Sequence, residues 1–396
     1  MHNPRHILSY LLAFALLGGC ATTMAKPDAS YHRTIEQTEN VTPTTRLSLE
    51  NLVGHVEITQ GGAKLQVHAV VVSGGGDAAQ ARALADTIKL SVKRDGDNLV
   101  MHVDYPVDAH ERYQYIPTHP DKDQHDGITV LGIHFGSSIS NTSLRYQDHQ
   151  VRVYQGSDHG VPLHVDLQVQ LPVGLQAQIS NHVGSIHVQQ INNSLSLKTD
   201  SGDISGSDLE GELAIDTGSG DSRISRQHGT LQMHTGSGDV TLKDIHGDTK
   251  VHTGSGDIDG SGLHGGMVSI HAGSGDISLA SLEGSLKLET GSGDVTLSDL
   301  GATPGARISC GSGDIQLSGD LSGMHGFDMQ TGSGDITLVT QQPPAVHLDI
   351  SAGDIDAQWA GINHATSERR HFSGDIGSAS ATGRISTGSG DVTLKQ

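Results

Sequence analysis

The chain has 396 residues, with 45 acidic side chains against 24 basic ones and a formal net charge of −21 when histidine is neutral. So acidic a polymer is repelled by nucleic acid and by anionic lipid surfaces, and is compatible with cations, cationic peptides or plain solubility. Fifty-two glycines with aromatics at only 3% exclude an ordinary mixed core and point to repeats.

The first 19 residues carry one basic side chain, Arg5, and an apolar run from Ile7 to Leu17. That run is too short for a permanent membrane span and has the form of a secretory signal peptide. It closes on Leu17-Gly18-Gly19-Cys20, which resembles a bacterial lipobox. The resemblance implies that Cys20 is lipidated, so that the mature chain is held to a membrane through its N-terminal lipid. Ala21, rather than Asp, after the cysteine implies sorting to the outer membrane of a diderm bacterium. Residues 20–45, with Lys26-Pro27 and the run VTPTT, read as a flexible tether.

Residues 46–105 are a β-rich segment. RLSLENLVGHVEIT and AKLQVHAVVV alternate as strands, and a short helical stretch lies within Gly74–Ala85. IKLSVKRDGDNLVMHVDYP then reads as a hairpin turning at Asp95-Gly96-Asp97. Gly54-His55 resembles a degenerate form of the Gly-Asp step described below, which would make this segment the first coils of the same repeat.

Residues 106–160 differ, and read as an inserted aromatic and polar loop region. They hold Tyr113, Tyr115, Tyr146 and Tyr154, with HPDKDQHDG at 119–127. One reading packs the insert over one end of the repeats; the other makes the four tyrosines partner contacts on a rigid scaffold. HPDKDQHDG fails the EF-hand pattern, since Gly127 falls one place late and Gly132 stands where a glutamate is required.

From residue 161 to 396 one pattern recurs, TGSGDVTL at 235–242 being its clearest form. Its Gly-Asp step falls at Asp203, Asp221, Asp239, Asp257, Asp276, Asp294, Asp314, Asp335, Asp354, Asp375 and Asp391. Most intervals are 18–21 residues, the last 16, a spacing that marks a solenoid. Within 231–248, Leu231 and Met233 alternate with polar neighbours, Gly236-Ser237-Gly238 makes a tight corner, and Val240 and Leu242 begin another strand. Ile245 adds a further inward position before the turn His246-Gly247-Asp248. The predicted fold is all-β: a single-stranded β-solenoid of about 11–12 short coils, with the bore too narrow for many rings. Stacked at roughly 4.8 Å, the coils give a rod on the order of 55 Å long. Cys310 falls at the Thr235-equivalent position and reads as a buried small residue. The coils loosen after Leu297, and the chain stops at DVTLKQ, directly after a strand. An open last coil would be an unpaired edge and a site for end-to-end self-association.

The elements LSLENLVGHVEIT, AKLQVHAVVV, HVDLQVQLPVGL and the repeated TGSGDV together resemble the candidate-adhesin family of bacterial envelope β-solenoids, a domain of unknown function. The likeness covers most of 46–396, with 106–160 as an insertion. It implies the architecture and an adhesin-type role, and it carries no catalytic set to transfer.

The carboxylates of Asp203 through Asp335, about 4.8 Å apart, repel by roughly 0.9 kcal/mol per neighbouring pair in water. Two readings fit them: turn residues accepting backbone N–H groups, or a column bridged by Ca²⁺. Calcium β-rolls use GGxGxD nonapeptides, from which one GSGD per coil departs. His234, His252 and His271 share a register that could hold Zn²⁺, Cu²⁺ or Ni²⁺, or simply face outward; His228, His246, His264 and His325 form a second such set. His264-Gly265-Gly266 is explained by the repeat, and the GSG turns precede no helix that could bind phosphate. The expected function is therefore a non-enzymatic, lipid-anchored envelope protein acting in adhesion, scaffolding or envelope-stress sensing, with no nucleic-acid partner and no cofactor beyond Ca²⁺ or Zn²⁺. The alternatives are a periplasmic metal-binding protein built on the Asp and His columns, and a polysaccharide-active β-helix enzyme resembling pectate lyases. The latter usually need aromatic platforms and basic residues, which the regular coils barely offer.

Overall fold

A computed structural model describes residues 29–117, 128–130, 133–135, 141–155, 159–301, 303–368, 370–379 and 381–396. Each regular coil consists of two strands, as in Leu231–Ser237 and Val240–His246. Leu231, Met233 and Thr235 point inward from the first strand, and Val240, Leu242 and Ile245 from the second. Strict alternation would put residue 244 inside. Asp244 instead adopts φ 54°, and this left-handed step turns the next side chain, Ile245, into the core. Gln190, Asp208, Arg226, Ser281 and Asp299 repeat the device, with φ between 50° and 57°. The further inward position is thus a bulge at the end of the second strand.

Coils stack in parallel register, Leu213 against Leu231 against Thr249 and Ile224 against Leu242 against Gly260. The Gly-Asp corner demands glycine on two grounds. Gly238 has φ +125°, and a Cβ there would lie 2.2 Å from the carbonyl oxygen of Gly220 in the coil before. Beside this corner runs a column of small buried groups, Thr199, Thr217, Thr235, Thr253, Ala272, Thr290, Cys310 and Thr331. Cys310 sits 3% exposed between Thr290 and Thr331, its Sγ 3.3 Å from Gly293 O, and burial raises its thiol pKa.

The first coil precedes the insert in sequence. Arg46–Val53 pairs with Gln176–Val183, and Val56–Gln60 with Ile186–Asn192. Gly54 holds the corner geometry at φ +144°, so Gly54-His55 is a true member of the corner column. Below it, Asn98–Asp104 and Lys89–Asp95 extend one face, while Val161–Leu171 and Lys64–Gly75 extend the other. Helix Ala78–Ala85 is capped by Asp77, which accepts from the Gln80 N–H at 2.8 Å, and it buries Ala81 and Ala85.

The tether expectation is corrected for part of its length. Ala29–Asn40 is a strand in antiparallel register with Lys64–Gly75 over twelve residues. Its alternation is of half-buried Tyr31 and Ile35 with polar side chains, a pattern too polar to read as a strand in the sequence. Cys20 and the rest of 20–28 lie outside the described residues.

The distal end also departs from expectation. The last coil in sequence is not the last in space. Ala381–Thr387 pairs with Phe327–Ser333 on one side and Val346–Ser351 on the other; Val392–Lys395 likewise lies between Ile336–Val339 and Ile355–Ala357. The open final edge inferred from DVTLKQ is therefore covered by residues 346–357. The hairpin Ile362–Glu368 with His371–Ile376 adds antiparallel to Val346–Ser351. Trp359, 3% exposed, donates its indole N–H to Lys395 O at 2.9 Å. Gly383 makes room for the ring of Phe327, since a Cβ there would fall 2.4 Å from Cζ.

Candidate functional site

The aspartates form a hydrogen-bonded ladder. The Asp221 N–H donates to Asp203 Oδ1 at 2.9 Å, Asp239 to Asp221 at 3.0 Å, Asp257 to Asp239 at 2.9 Å and Asp276 to Asp257 at 2.9 Å. Asp294, Asp314 and Asp335 continue it at 2.8 Å each. The ladder then jumps, with Asp391 donating to Asp335 at 2.8 Å and Asp354 to Asp391 at 2.9 Å. Each carboxylate from Asp203 to Asp335, and Asp391 after them, thus satisfies the otherwise orphaned corner amide of the adjoining coil, while Asp354 at the end accepts from the Ile355 N–H. At the other end His55 N–H donates to Asp166 Oδ1 at 2.8 Å, a rung made from a different part of the chain. Asp375 is not in the ladder: it lies in an antiparallel strand and meets His347 Nδ1 at 2.6 Å.

Two histidine stacks stand on the surface. His234 and His252 are 4.9 Å apart between ring centroids with planes 3° off parallel, and His252 and His271 are 4.8 Å apart at 5°. Asp216 precedes this row and Glu289 follows it, with His271 Nδ1 3.3 Å from Glu289 Oε2. Partial burial, then the neighbouring His271 and His234 charges, lower the pKa of His252. The second stack joins His228, His246 and His264 at 4.8 and 4.9 Å and ends at Glu283, whose Oε2 is 3.1 Å from His264 Nδ1. His325 lies outside it, in the connection before Phe327–Ser333. Parallel imidazoles aim their lone pairs side by side rather than at a common point. No group of three His, Cys, Asp or Glu side chains able to hold a metal occurs among the described residues. HPDKDQHDG lies outside them.

The tyrosines proposed as contacts are mostly internal, which corrects the recognition-loop reading. Tyr113 and Tyr146 are fully buried and Tyr115 is 4% exposed; Tyr154 is half-buried, its ring 5.8 Å from His159. Tyr113 and Tyr146 each pack edge-on against Tyr105, at 5.5 and 5.9 Å. Tyr105 Oη lies 2.8 Å from Val53 O. Burial raises the pKa of Tyr105, Tyr113 and Tyr146 well above the ordinary phenol range. The rings join the insert to the flank of the first coils, Tyr105 Oη donating to Val53 O and Tyr146 Oη to Val103 O.

Two features were missed from the sequence. Asn181 takes the place of the threonine column and knits two coils together: its Nδ2 donates to Gly54 O at 2.7 Å and to Gly184 O of its own coil at 3.0 Å, and its Oδ1 accepts from Asn51 Nδ2 at 2.9 Å. His182, under the Tyr146 ring, lies between Asp200 Oδ2 at 2.7 Å and Glu50 Oε1 at 3.0 Å. Burial pulls its pKa down, but the hydrogen bonds to the two carboxylates outweigh this and set it at about 9. The 18-residue step from His182 to Asp200 was visible in the sequence; Glu50 is brought in only by the coil that precedes the insert.

The outer faces carry shallow grooves. One of about 590 Å³ runs across Ser48, Gln178, Ser196, Ala214 and Gln232, a single register of uncharged side chains, with Arg46 and Glu212 at its edges. No helix among the described residues is long and apolar enough to cross a membrane.

A family model described as Toastrack, DUF4097, matches residues 44–259, 206–344 and 246–395. No curated protein matches the chain. Among solved structures it is similar to a candidate adhesin from Bacteroides fragilis NCTC 9343, at 12% identity over 92% of this chain and 97% of that one, with a TM-score of 0.27. It is also similar to a candidate lipid binding protein from Parabacteroides distasonis ATCC 8503 (9% identity, 92% and 96% covered, TM-score 0.28). A candidate adhesin from the same organism gives 11% identity, 91% and 97% coverage and a TM-score of 0.24.

Proposed function

The chain belongs to the Toastrack family, DUF4097, and from that premise we propose that it is a non-enzymatic scaffold of the bacterial envelope, tethered through lipid on Cys20. In this reading its rigid acidic solenoid serves adhesion or assembly. The observation that carries it is the aspartate ladder. It places a row of carboxylates at fixed spacing along one corner, with one oxygen of each used by the backbone of the next coil and Asp221 Oδ2 also paired with Arg223 at 2.9 Å. Such a row favours polycationic partners through summed charge rather than through a pocket. The groove across Ser48, Gln178, Ser196, Ala214 and Gln232, edged by Arg46 and Glu212, is open and polar, which supports a binding role for this face.

Fractionation of cells expressing the full chain and its Cys20→Ala variant tests the anchor. The wild type is expected in the membrane fraction and the variant in the soluble one; identical partition removes the lipid tether. For the acidic corner the probe is poly-lysine. Replacing Asp239, Asp257, Asp276 and Asp294 together by Asn keeps the amide acceptors and should weaken binding at least tenfold at low salt. Unchanged affinity discards that corner as the contact surface.

A further inference from the structure

The distal end is joined to the rest of the molecule unequally. Residues 346–396 form one unit. Val346–Ser351 pairs with both Ala381–Thr387 and His371–Ile376, Ile355–Ala357 pairs with Val392–Lys395, and Ile362–Glu368 completes the hairpin. Strand pairing between this unit and the body runs along a single seam, where Phe327–Ser333 and Ile336–Val339 meet Ala381–Thr387 and Val392–Lys395. The chain crosses the seam through residues 340–345, which include Pro343 and Pro344.

We propose that residues 346–396 are an exchangeable module, and that its alternative partner is the body of a second copy of this chain. The groups that bridge the seam also join coils within the body, where the Asp-to-Asp amide bond runs from Asp203 to Asp335 and Thr331 Oγ1 donates to Gly313 O at 2.9 Å. Asp391 N–H donates to Asp335 Oδ1 at 2.8 Å, Thr387 Oγ1 to Gly334 O at 2.8 Å, and Ile336 N–H to Asp391 O at 2.9 Å. A second body presents the same groups in the same register, so exchange preserves every bond, and its extent is set by linker reach and protein concentration.

The order of the chain adds a second argument. The coil 381–396 follows 346–357 in sequence, yet it lies between 346–357 and 327–339. It can enter only when those two coils are apart, so folding passes through a state in which the seam is open and the body ends on the unpaired edge of 327–339. The linker supplies the third. Pro343 and Pro344 bias Gln342 and Pro343 toward extended backbone, which holds the module away from its own body in that open state. Reciprocal exchange closes a dimer; non-reciprocal exchange propagates end to end, because each chain both donates a module and offers an edge.

The test uses the full chain carrying Thr337→Cys and Thr393→Cys, outward-facing partners across the seam. Isotopically heavy and light preparations are mixed at high concentration, warmed to just below the melting temperature, cooled and oxidised. Non-reducing electrophoresis with mass spectrometry is expected to show heavy–light dimers that increase with concentration and are absent when each preparation was oxidised before mixing. Monomers alone at every concentration overturn the proposal, as does an equal dimer yield from the Thr393→Cys single variant. A readout independent of disulfide closure is light scattering on the wild type after the same warming. A dimer that persists on dilution supports exchange, and a protein monomeric throughout rules it out.

Discussion

At the scale of single residues, His182 is the charge most tightly held by its surroundings. Its pKa of about 9 lies above the ordinary histidine value near 6.5, so the stabilisation it provides is complete below pH ~6.5 and is lost as pH rises through 9. Asp200 shifts the other way: its pKa is lowered, mainly by the bond to His182, so its contribution holds above the ordinary carboxylate range and fades as pH falls through its own lowered value. The pair is strongest between roughly pH 4 and 6.5, above the ordinary carboxylate pKa and below the ordinary histidine pKa. His182→Gln should therefore cost on the order of 2 kcal/mol at pH 6.5 and much less at pH 10. Urea unfolding of both proteins at the two pH values decides it; parallel profiles would mean the imidazole carries no bound proton. Tyr113 makes the opposite case. Its hydroxyl is buried with no hydrogen-bond partner among the described residues. Tyr113→Phe removes an unsatisfied polar atom and should leave the protein as stable or up to about 1 kcal/mol more so. A marked loss in thermal unfolding would show that the phenol has a partner.

At the scale of elements, the aspartate ladder separates two duties of one side chain, accepting a hydrogen bond and carrying charge. Asp257→Asn keeps the Oδ1 acceptor for the Asp276 N–H and relieves like-charge crowding; Asp257→Ala leaves that amide unpaired. The expected order of stability is Asn equal to or above wild type, with Ala lower by about 1–3 kcal/mol. Should Ala and Asn unfold at the same denaturant concentration, the ladder is ornamental. Strand content in the repeats was legible because Leu231, Met233, Val240 and Leu242 alternate without ambiguity, and the corner was legible because glycine and aspartate recur in it. The bulge at Asp244 was not, since nothing in an aspartate's identity announces φ 54°. Ala29–Asn40 was hidden for a related reason. An edge strand needs only one moderately apolar side, and Tyr31 and Ile35 with His32, Arg33 and Thr34 between them also suit a linker.

At the scale of the whole molecule, the histidine stacks bear on metal binding. Rings held 4.8–4.9 Å apart and nearly parallel do not converge, and a ligand present at 100 times its Kd would add about 2.7 kcal/mol to stability. Neither Zn²⁺ nor Ca²⁺ is expected to raise the melting temperature of the soluble body at pH 7.5 relative to EDTA. A specific rise with one of them would mean the columns rearrange into a site.

The coil is legible in local pattern alone: its length, its glycine corner, its inward aliphatics, and the equivalence of Cys310 with the threonines around it. All of these follow from local sterics and from a periodicity that every turn must repeat if backbones are to stack in register. Only the tertiary structure decided which coil lies on which. The repeats resemble one another so closely that the pattern cannot say that 46–60 stacks beneath 176–192, or that 381–396 lies inside 346–357. Those adjacencies depend on particular long-range fits: Tyr105 Oη on Val53 O, Glu50 reaching His182, and the space that Gly383 leaves for Phe327.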